Sequence, residues 1–371
     1  MKLLIINPGS TSTKVSLFED GTETATESVF HDAPVLLQYD NVNEQVPMRL
    51  SVCLSFLEKN GVAPEDIDVF VGRGGGAYPQ QSGVCVIDER LVQDTRDIVG
   101  GSDHASKLGV LVAWELGTKY HKPMYTLDPT NIDELIDEAR VTGIDGIYRK
   151  SQLHALNHRA IAMKHAKNIG KPYQDCRFIV AHIDGGVTVA AHAEGRIIDT
   201  TEGAGGDGPF APTRLGSVPV LSVLEYLEKG HTVEEMRKMC SRSGGFVSHF
   251  GTSDARIVRE RMLAGDAHAS LVWKAMIYQI AKSIGEMAAV LCGRVDAILL
   301  TGGLVRYEDI VDGIRERCGF IAPIVLYPGE AEQEALCHAV LRVLNGEESA
   351  YIYSGKPVWD GFPWDHSKVF K

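Results

Sequence analysis

The sequence lacks the features that would place it in a membrane or a secretion pathway. No apolar run is long enough to cross a bilayer, because charged residues such as Lys274 and Glu286 interrupt the apolar stretch around 271–300. The apolar start of the chain breaks into polar residues at Asn7 and has no small-residue cleavage pattern, so it does not look like a signal peptide. We therefore expect no membrane association.

Positive charge and patterned cysteines are also lacking. The net charge is −12, which disfavours general nucleic-acid binding because phosphate repels an acidic surface. A local group of Arg, Lys and backbone N–H donors could still bind a small phosphorylated ligand. The seven cysteines are odd in number and scattered, with no Cys-x-x-Cys, which is typical of reduced thiols in a cytoplasmic protein.

What is present is the composition of a folded protein and an internal repeat. The 371 residues are 44% hydrophobic and 23% charged, enough for two domains of ordinary size. A strand at 3–6 runs into a hydroxyl-rich turn at 7–14, and the same order returns in the strand 178–181 and the glycine turn 182–186. In both copies two further strands follow, which predicts two similar α/β domains.

The two turns have the chemistry of phosphate-binding loops. Glycine permits close backbone approach, and N–H groups and hydroxyls donate to phosphate oxygens. A nucleotide lying between the domains would then receive one loop from each half, although a single such turn is explained equally well as an ordinary β-hairpin. A third glycine turn, Thr301-Gly302-Gly303, follows the apolar strand 297–300 and suits a contact with adenosine.

A series of short segments, taken in order, resembles the acetate/butyrate kinase family, and most closely its butyrate kinases. The segments are 7–14, 72–76, 103–106, 154–158, 182–186, 206–210, 252–256, 301–303 and 327–330. The resemblance implies an acetate and sugar kinase/actin-type fold, with two duplicated actin-like (ribonuclease H-like) α/β domains and a nucleotide cleft between them. We expect the first domain at 1–150, completed by 352–371, and the second, nucleotide-binding domain at 151–351.

The family transfers the γ-phosphoryl group of ATP in line to the carboxylate of a short-chain acid, giving an acyl phosphate and ADP, with Mg²⁺. This chemistry requires positioning and positive charge more than covalent help. The resemblance implies catalytic roles for Arg73, His154, His182, Arg214 and Asp128. It implies phosphate or ATP binding by Asn7, Ser10, Ser12, Lys14, Gly185, Gly186, Asp254, Arg256, Gly302 and Gly303. It places Gly75, Leu153 and Pro209 in the acyl pocket, Mg²⁺ on Asp128 and Glu334 through water, and a homodimer or higher homo-oligomer in the cytoplasm.

Two positions favour butyrate as the acceptor. Acetate kinases usually carry a Val at the position of Gly75 and a Phe at the position of Leu153, so this chain has less side-chain volume there. Each buried CH₂ contributes about 0.8 kcal/mol, so the two extra groups of butyrate favour it by about tenfold. Branched acids such as isobutyrate and isovalerate fit the same space, and acetate or propionate are further alternatives.

Two residues depart from the family near the chemistry. Asp184 stands where Gly is usual, and Leu215 follows Arg214 where Ser is usual. A carboxylate at 184 would repel phosphate unless it is compensated. It either reaches the water shell of the metal or turns to accept hydrogen bonds from the backbone of its own turn.

Other interpretations remain for several residues and for the whole chain. His158 follows His154 by four residues, which suits a structural histidine better than a zinc pair. Asp128 is explained equally well as a turn or capping residue, and Arg73 has a turn-stabilising alternative. The same fold also serves nucleotide-dependent scaffolds, which do not need the set Arg73, His154 and Arg214, and sugar kinases, which need a general base that a carboxylate acceptor does not.

Overall fold

The computed structural model describes residues 1–9, 11–36, 38–100 and 104–364. The chain divides into two compact units. The first consists of Met1–Asp133 and Ala331–Phe362, and the second contains Glu134–Glu330 together with Pro363 and Trp364. None of the helices in the described ranges combines the length and apolar character that a membrane span requires.

This division differs from the predicted domains at both boundaries. Glu134 accepts a hydrogen bond from the Ile197 N–H at 3.0 Å, and the Ile136 N–H donates to the Ile198 carbonyl at 3.0 Å, so the chain from 134 onward belongs to the second unit. The chain returns to the first unit at Ala331 rather than at residue 352. Residues 365–371, which were expected to complete the first domain, lie outside the described residues.

The described ranges contain twelve strands and thirteen α-helices, numbered in chain order, together with short 3₁₀ and π segments. The strands are β1 (Lys2–Pro8), β2 (Ser12–Glu19), β3 (Thr22–Phe30), β4 (Val69–Gly72), β5 (Val84–Val86), β6 (Met124–Leu127), β7 (Phe178–Ile183), β8 (Val187–Ala193), β9 (Arg196–Thr200), β10 (Ala297–Gly302), β11 (Ile324–Pro328) and β12 (Tyr351–Ile352). The α-helices are α1 (Ala33–Leu36), α2 (Val46–Lys59), α3 (Glu89–Asp97), α4 (Leu108–Tyr120), α5 (Asp137–Arg140), α6 (Ala155–Asn168), α7 (Val220–Glu228), α8 (Val233–Lys238), α9 (Gly245–Phe250), α10 (Ala255–Leu263), α11 (Ala267–Val290), α12 (Glu308–Cys318) and α13 (Glu332–Leu344).

The first unit is built on a sheet with the strand order β12-β5-β6-β4-β1-β2-β3. β1, β2 and β3 form an antiparallel meander, while β4 pairs parallel with β1 and with β6. Successive side chains of β1 point to opposite faces, yet Leu3, Leu4, Ile5 and Ile6 are all fully buried, so both faces of the sheet are covered. Because β1, β4 and β6 run in the same direction, their carboxyl ends lie at one edge of the sheet.

The second unit repeats this arrangement with the strand order β11-β10-β7-β8-β9. β7, β8 and β9 form the antiparallel meander, and β10 pairs parallel with β7 and with β11. The long helix α11 packs its apolar face on this sheet, and its Trp273 is buried in the core. The repeat predicted from the sequence, two similar α/β domains that each begin with a meander, is confirmed.

Candidate functional site

In each unit, predicted site residues gather at the carboxyl edge of the sheet. Each group is described within its own unit. The group in the first unit consists of Asn7, Arg73 and Glu332 and is called the Arg73 cluster.

Parallel pairing brings Asn7 and Arg73 together. Ile6 of β1 is in register with Gly72 of β4, and the Arg73 N–H donates to the Ile6 carbonyl at 2.9 Å. Asn7 and Arg73 are the next residues along these neighbouring strands. Glu332 is the first residue of α13 and reaches the same edge.

The Arg73 cluster is an ion pair between the half-buried Arg73 and the buried Glu332, and both share the amide of Asn7. Arg73 Nη1 lies 3.0 Å from Glu332 Oε2 and 3.3 Å from Asn7 Oδ1, and Asn7 Nδ2 donates to Glu332 Oε2 at 2.8 Å. The Glu332 side chain is 3% exposed, and its second oxygen, Oε1, has no hydrogen-bond partner among the described residues. An orphaned buried carboxylate oxygen suits a metal-bound water, which would donate to it.

Helix α13 places two acids of the segment predicted to hold the metal in different surroundings. Glu334, which the resemblance implied, is exposed two residues further along the first turn of α13. Residues two positions apart in a helix point to different faces, so the buried position belongs to Glu332 and the exposed one to Glu334. Of these two acids, the one that contacts Arg73 and Asn7 is therefore Glu332.

The first phosphate loop is a tight hairpin between β1 and β2. The Gly9 N–H donates to the Ser12 carbonyl at 2.8 Å, and Asn7 is paired with Lys14 across the strands, which places both side chains on one face. Arg49 of α2, fully buried, donates to the Ser12 carbonyl at 2.5 Å. Burial lowers the pKa of Arg49 to about 10. Ser10, also predicted for this loop, lies outside the described residues.

Asp128 and Gly75 stand at the same sheet edge. Asp128 follows β6, is buried with a φ of 39°, and accepts a hydrogen bond from the Gly83 N–H at 2.7 Å, so the expected turn role is present. Gly75 has a φ of 155°, and a Cβ there would lie 3.0 Å from Ser106 Oγ. The backbone itself therefore requires glycine at 75, whatever the size of the substrate.

The group in the second unit centres on two stacked histidines. The rings of His154 and His182 are stacked with centroids 4.0 Å apart and an angle of 18° between their planes. His182 lies near the end of β7, and His154 immediately precedes α6. His182 is paired with Thr188 of β8 on one side and with Thr301 of β10 on the other, so these three side chains lie in a row on one face of the sheet.

Helix α6 and His154, the residue just before it, place three side chains along this row. His154 Nδ1 and His158 Nε2 each lie 2.9 Å from Thr188 Oγ1. Asn157 Nδ2 lies 2.8 Å from His182 Nδ1 and 3.1 Å from Thr301 Oγ1. Burial lowers the pKa of His158 well below its usual range, so His158 is a neutral buried residue, as a structural histidine would be.

Arg214 provides a desolvated cation beside the glycine turn. A Cβ at Gly186 would lie 2.5 Å from Arg214 Cζ, and one at Gly203 would lie 2.7 Å from Arg214 Nη1, so the guanidinium is packed between two glycine backbones. Burial lowers the pKa of Arg214, and in the described part of the chain no carboxylate pairs with it. A partly buried, desolvated guanidinium without a counter-charge is a binding group for an anion.

Asp184 braces the turn rather than standing free in it. Its Oδ1 accepts from the Gly185 N–H at 2.8 Å, and its Oδ2 accepts from the Gly303 N–H at 2.5 Å. The turn 182–186 is thereby tied to the third glycine turn. The sequence left two roles for Asp184, contact with the water shell of the metal and hydrogen bonding to the backbone. The structure contains the hydrogen bonds to the backbone.

Asp184 also belongs to a possible metal-binding group. One ligand atom from each of His182, Asp184 and Glu330 lies within 4.8 Å of the other two. Glu330 is 46% exposed and its Oε1 lies 3.8 Å from His182 Nε2. Whether His182 can serve as a ligand in this group depends on its contact with Asn157.

The remaining predicted residues fall in the second unit as well. Asp254 caps α10 and forms a bidentate pair with Arg256, with Nη2 to Oδ2 at 2.6 Å and Nε to Oδ1 at 3.0 Å. The hydrogen bonds from Arg256 lower the pKa of Asp254 to about 2. Gly302 has a φ of 98° and lies against the Ile183 backbone, where a Cβ would be 2.3 Å from the Ile183 carbonyl oxygen. Leu153 and Pro209 are both buried.

Several residues of these groups were not singled out from the sequence. Asn157 and Thr301 stand inside motifs that resemble the family, but the motifs alone do not mark them as site residues. Thr188 and Arg49 carry no sequence signal, because their importance comes from strand pairing and from helix packing.

Comparison with solved structures identifies the class of fold. The chain is similar to the crystal structure of acetate kinase from Porphyromonas gingivalis, with a TM-score of 0.74 and 18% identity over 92% of this chain and 99% of that one. The match defines an α/β fold of the acetate and sugar kinase/actin type, as the sequence predicted.

Comparison with sequences identifies the family. The model of the acetokinase family matches residues 139–315. A probable butyrate kinase 2 from Caldanaerobacter subterraneus subsp. tengcongensis is 46% identical over 95% of this chain and 99% of its own length. A probable butyrate kinase from Enterococcus faecalis is 41% identical over 95% of this chain and 97% of its own. The chain belongs to the acetokinase family, and it is a kinase that phosphorylates a short-chain carboxylate with ATP as the phosphoryl donor.

Proposed function

We propose that this chain transfers the γ-phosphoryl group of ATP to butyrate, forming butyryl phosphate and ADP, and that it also runs in reverse. The observation that carries the chemistry is Arg214, a desolvated guanidinium beside the Gly185-Gly186 turn with no carboxylate partner in the described part of the chain. Phosphoryl transfer needs such a preorganised cation, because negative charge is spread over the oxygens of the group in flight.

The acceptor is supported by the names of the two relatives and by Leu153. Both relatives are named as probable butyrate kinases. Leu153 is a buried residue smaller than the Phe usual in acetate kinases. Gly75 no longer supports the choice, because its backbone conformation requires glycine for a separate reason.

The residue roles follow the resemblance with one change. Arg73 and Arg214 bind oxygens of the carboxylate and the moving phosphoryl group. His154 and His182 donate hydrogen bonds to phosphoryl oxygens. Asn7, Ser10, Ser12 and Lys14 bind phosphate from the first loop. The residues at the adenosine end are Asp254, Arg256, Gly302 and Gly303.

Mg²⁺ is the metal we propose, with Asp128 and Glu332 holding it through water. The unpartnered Oε1 of Glu332 fits this role. When bound, the ion would offset charge on the phosphates, and the protein's own part is to orient the waters of its shell. A cytoplasmic location is supported by free thiols at all seven cysteines. A homodimer or higher homo-oligomer rests on the family resemblance alone.

The test is acyl phosphate formation, trapped as hydroxamate, from ATP, Mg²⁺ and a series of acids. The series is acetate, propionate, butyrate, isobutyrate and isovalerate. We expect kcat/KM for butyrate to exceed that for acetate by about tenfold, from two buried CH₂ groups. Equal or faster turnover of acetate would remove butyrate as the acceptor, and faster turnover of isobutyrate or isovalerate would assign a branched acid.

A further inference from the structure

We propose that two buried hydrogen-bond chains hold the stacked rings of His154 and His182 in the same neutral tautomer, with the proton of each ring on Nε2. Thr188 and His158 act on His154, and Asn157 and Thr301 act on His182. These four are positioning residues, since they act through the histidines. The inference rests on the proposed function for its purpose, although the tautomers follow from the contacts alone.

The series of hydrogen bonds that ends on His182 starts at a backbone carbonyl. Thr301 Oγ1 lies 2.9 Å from the Gly329 carbonyl oxygen, which only accepts, so the hydroxyl must donate its proton there. The hydroxyl oxygen is then an acceptor for Asn157, at 3.1 Å. Reversing the Asn157 amide would draw the hydroxyl proton to Oδ1 and leave two oxygens facing each other at 2.9 Å without a proton. The amide nitrogen therefore faces Thr301.

The same amide nitrogen fixes the ring of His182. Asn157 Nδ2 lies 2.8 Å from His182 Nδ1, and an amide nitrogen only donates. His182 Nδ1 must therefore be the unprotonated nitrogen. A neutral imidazole has one N–H, so that of His182 is on Nε2.

The series of hydrogen bonds that ends on His154 starts at a fully buried histidine, His158. His158 Nδ1 has no hydrogen-bond partner among the described residues, whereas His158 Nε2 lies 2.9 Å from Thr188 Oγ1. A buried N–H without an acceptor is rarer and costlier than a lone pair without a donor. His158 therefore carries its proton on Nε2 and donates it to Thr188.

The single proton of Thr188 must then go to its other neighbour. Because the hydroxyl oxygen accepts from His158, its own proton points at His154 Nδ1, 2.9 Å away. His154 Nδ1 is thus an acceptor, and the N–H of His154 is also on Nε2. Both stacked rings reach the same tautomer by independent routes.

The spacing of the motif explains how six side chains meet. Asn157 and His158 follow His154 by three and four residues, which is the spacing of one helical face. Facing them, Thr188, His182 and Thr301 are register partners on three adjacent strands. Both series of hydrogen bonds therefore form where the first turn of α6 packs against one row of side chains on the sheet.

The shared tautomer has a chemical purpose. Two imidazolium rings stacked 4.0 Å apart would repel each other, whereas two neutral rings do not. Each ring still presents one N–H, so together they offer two donors to the oxygens of an anion without a charge penalty.

The same contacts argue against His182 as a direct metal ligand. A histidine bound to a metal almost always donates its other N–H to an acceptor. His182 Nδ1 instead accepts from Asn157, so a metal on Nε2 would leave the ring without any N–H. The group of His182, Asp184 and Glu330 is therefore not a first-sphere metal site.

The test reads ring tautomers by long-range ¹H–¹⁵N correlation in protein labelled with ¹⁵N in its 13 histidines. Signals of His154 and His182 are assigned by their loss in His154→Gln and His182→Gln. We expect an unprotonated Nδ1 and a protonated Nε2 in both rings at neutral pH. A protonated Nδ1 in either ring would overturn the proposal.

Four variants then distinguish the effects of the two series of hydrogen bonds. Thr188→Val keeps the shape but removes the hydroxyl, and we expect mixed tautomers at His154 only; Thr301→Val should affect His182 only. In each we expect kcat to fall about tenfold or more, as for a weakened transition-state donor, with little change in KM for ATP. Thr188→Ser and Thr301→Ser keep a hydroxyl and should restore the tautomer and most of kcat.

The outcomes distinguish this inference from the proposed function. Valine variants with unchanged ring signals, or with altered signals and normal kcat, would overturn the positioning role. If a valine variant does not fold, the wild-type spectrum and the serine variant still decide the tautomers. Correct tautomers in a protein that phosphorylates none of the acids would uphold the hydrogen-bond chains and reject the function.

Discussion

Replacing Asp184 tests whether its carboxylate braces the glycine turns or serves the metal. The carboxylate accepts from the Gly185 N–H at 2.8 Å and from the Gly303 N–H at 2.5 Å. Asp184→Asn keeps the size of the side chain but leaves one oxygen, so one of these N–H groups would face an amide nitrogen instead.

The expected loss is set by a single bond. A hydrogen bond to a charged group contributes about 1.5–3 kcal/mol, and because Asp184 is only partly buried we take a value of about 2 kcal/mol. That loss corresponds to about 30-fold faster local opening. Asp184→Ala, which removes both bonds, should open the turn further.

Hydrogen exchange measured by mass spectrometry on a peptide covering 299–306 reports this opening directly. The matched control is Asp312→Asn, since Asp312 is 68% exposed and pairs with Arg315 at the surface, where such pairs contribute little. We expect the Mg²⁺ concentration for half-maximal rate to stay unchanged in Asp184→Asn. Unchanged exchange together with a raised Mg²⁺ requirement would refute the bracing argument and return Asp184 to the metal.

Two further predictions concern charged residues of the candidate site. Arg214→Gln should lower kcat by about 10²–10³, because the lost donor acts on charge that develops in the transition state. The affinity for ADP, measured by calorimetry, should stay nearly unchanged, and the control is Arg315→Gln at an exposed position. A near-normal kcat would show that Arg214 only contributes packing. Glu332→Gln should raise the Mg²⁺ concentration needed for half-maximal rate. Its control, Glu334→Gln, two residues along α13, should leave that concentration unchanged. A raised Mg²⁺ requirement in Glu334→Gln alone would assign the metal role to Glu334.

The sequence predicted the fold through its repeat and missed where the units end. A meander followed by a parallel strand is encoded locally, in alternating apolar runs and glycine turns, so both copies were recognised. The sequence predicts the boundary at 150, because no local signal marks Glu134. That residue joins the second unit through a backbone N–H of β9, a contact between segments far apart in sequence.

Site residues could be predicted from the sequence where the residue type itself suggests the chemistry. They could not be predicted where the role depends on a contact with a residue far away in the sequence. Arg214, His154 and His182 stand in recognisable motifs, and the structure sets each beside other predicted residues. The difference between Glu332 and Glu334 depends on the phase of one helical turn, which composition does not reveal. Thr188 was invisible because a threonine in a strand is ordinary until two histidines are found against its hydroxyl.

The discontinuous first unit has a consequence for the order in which the protein is made. The carboxylate of the Arg73 cluster comes from Glu332, which the ribosome adds only after all of Glu134–Glu330 has been synthesised. Until then Arg73 and Asn7 lack their acid, and the edge strand β12 is also missing from the first sheet. The first unit therefore cannot be completed until the whole of the second unit has been synthesised, although domains are generally completed from the N-terminus onward during translation.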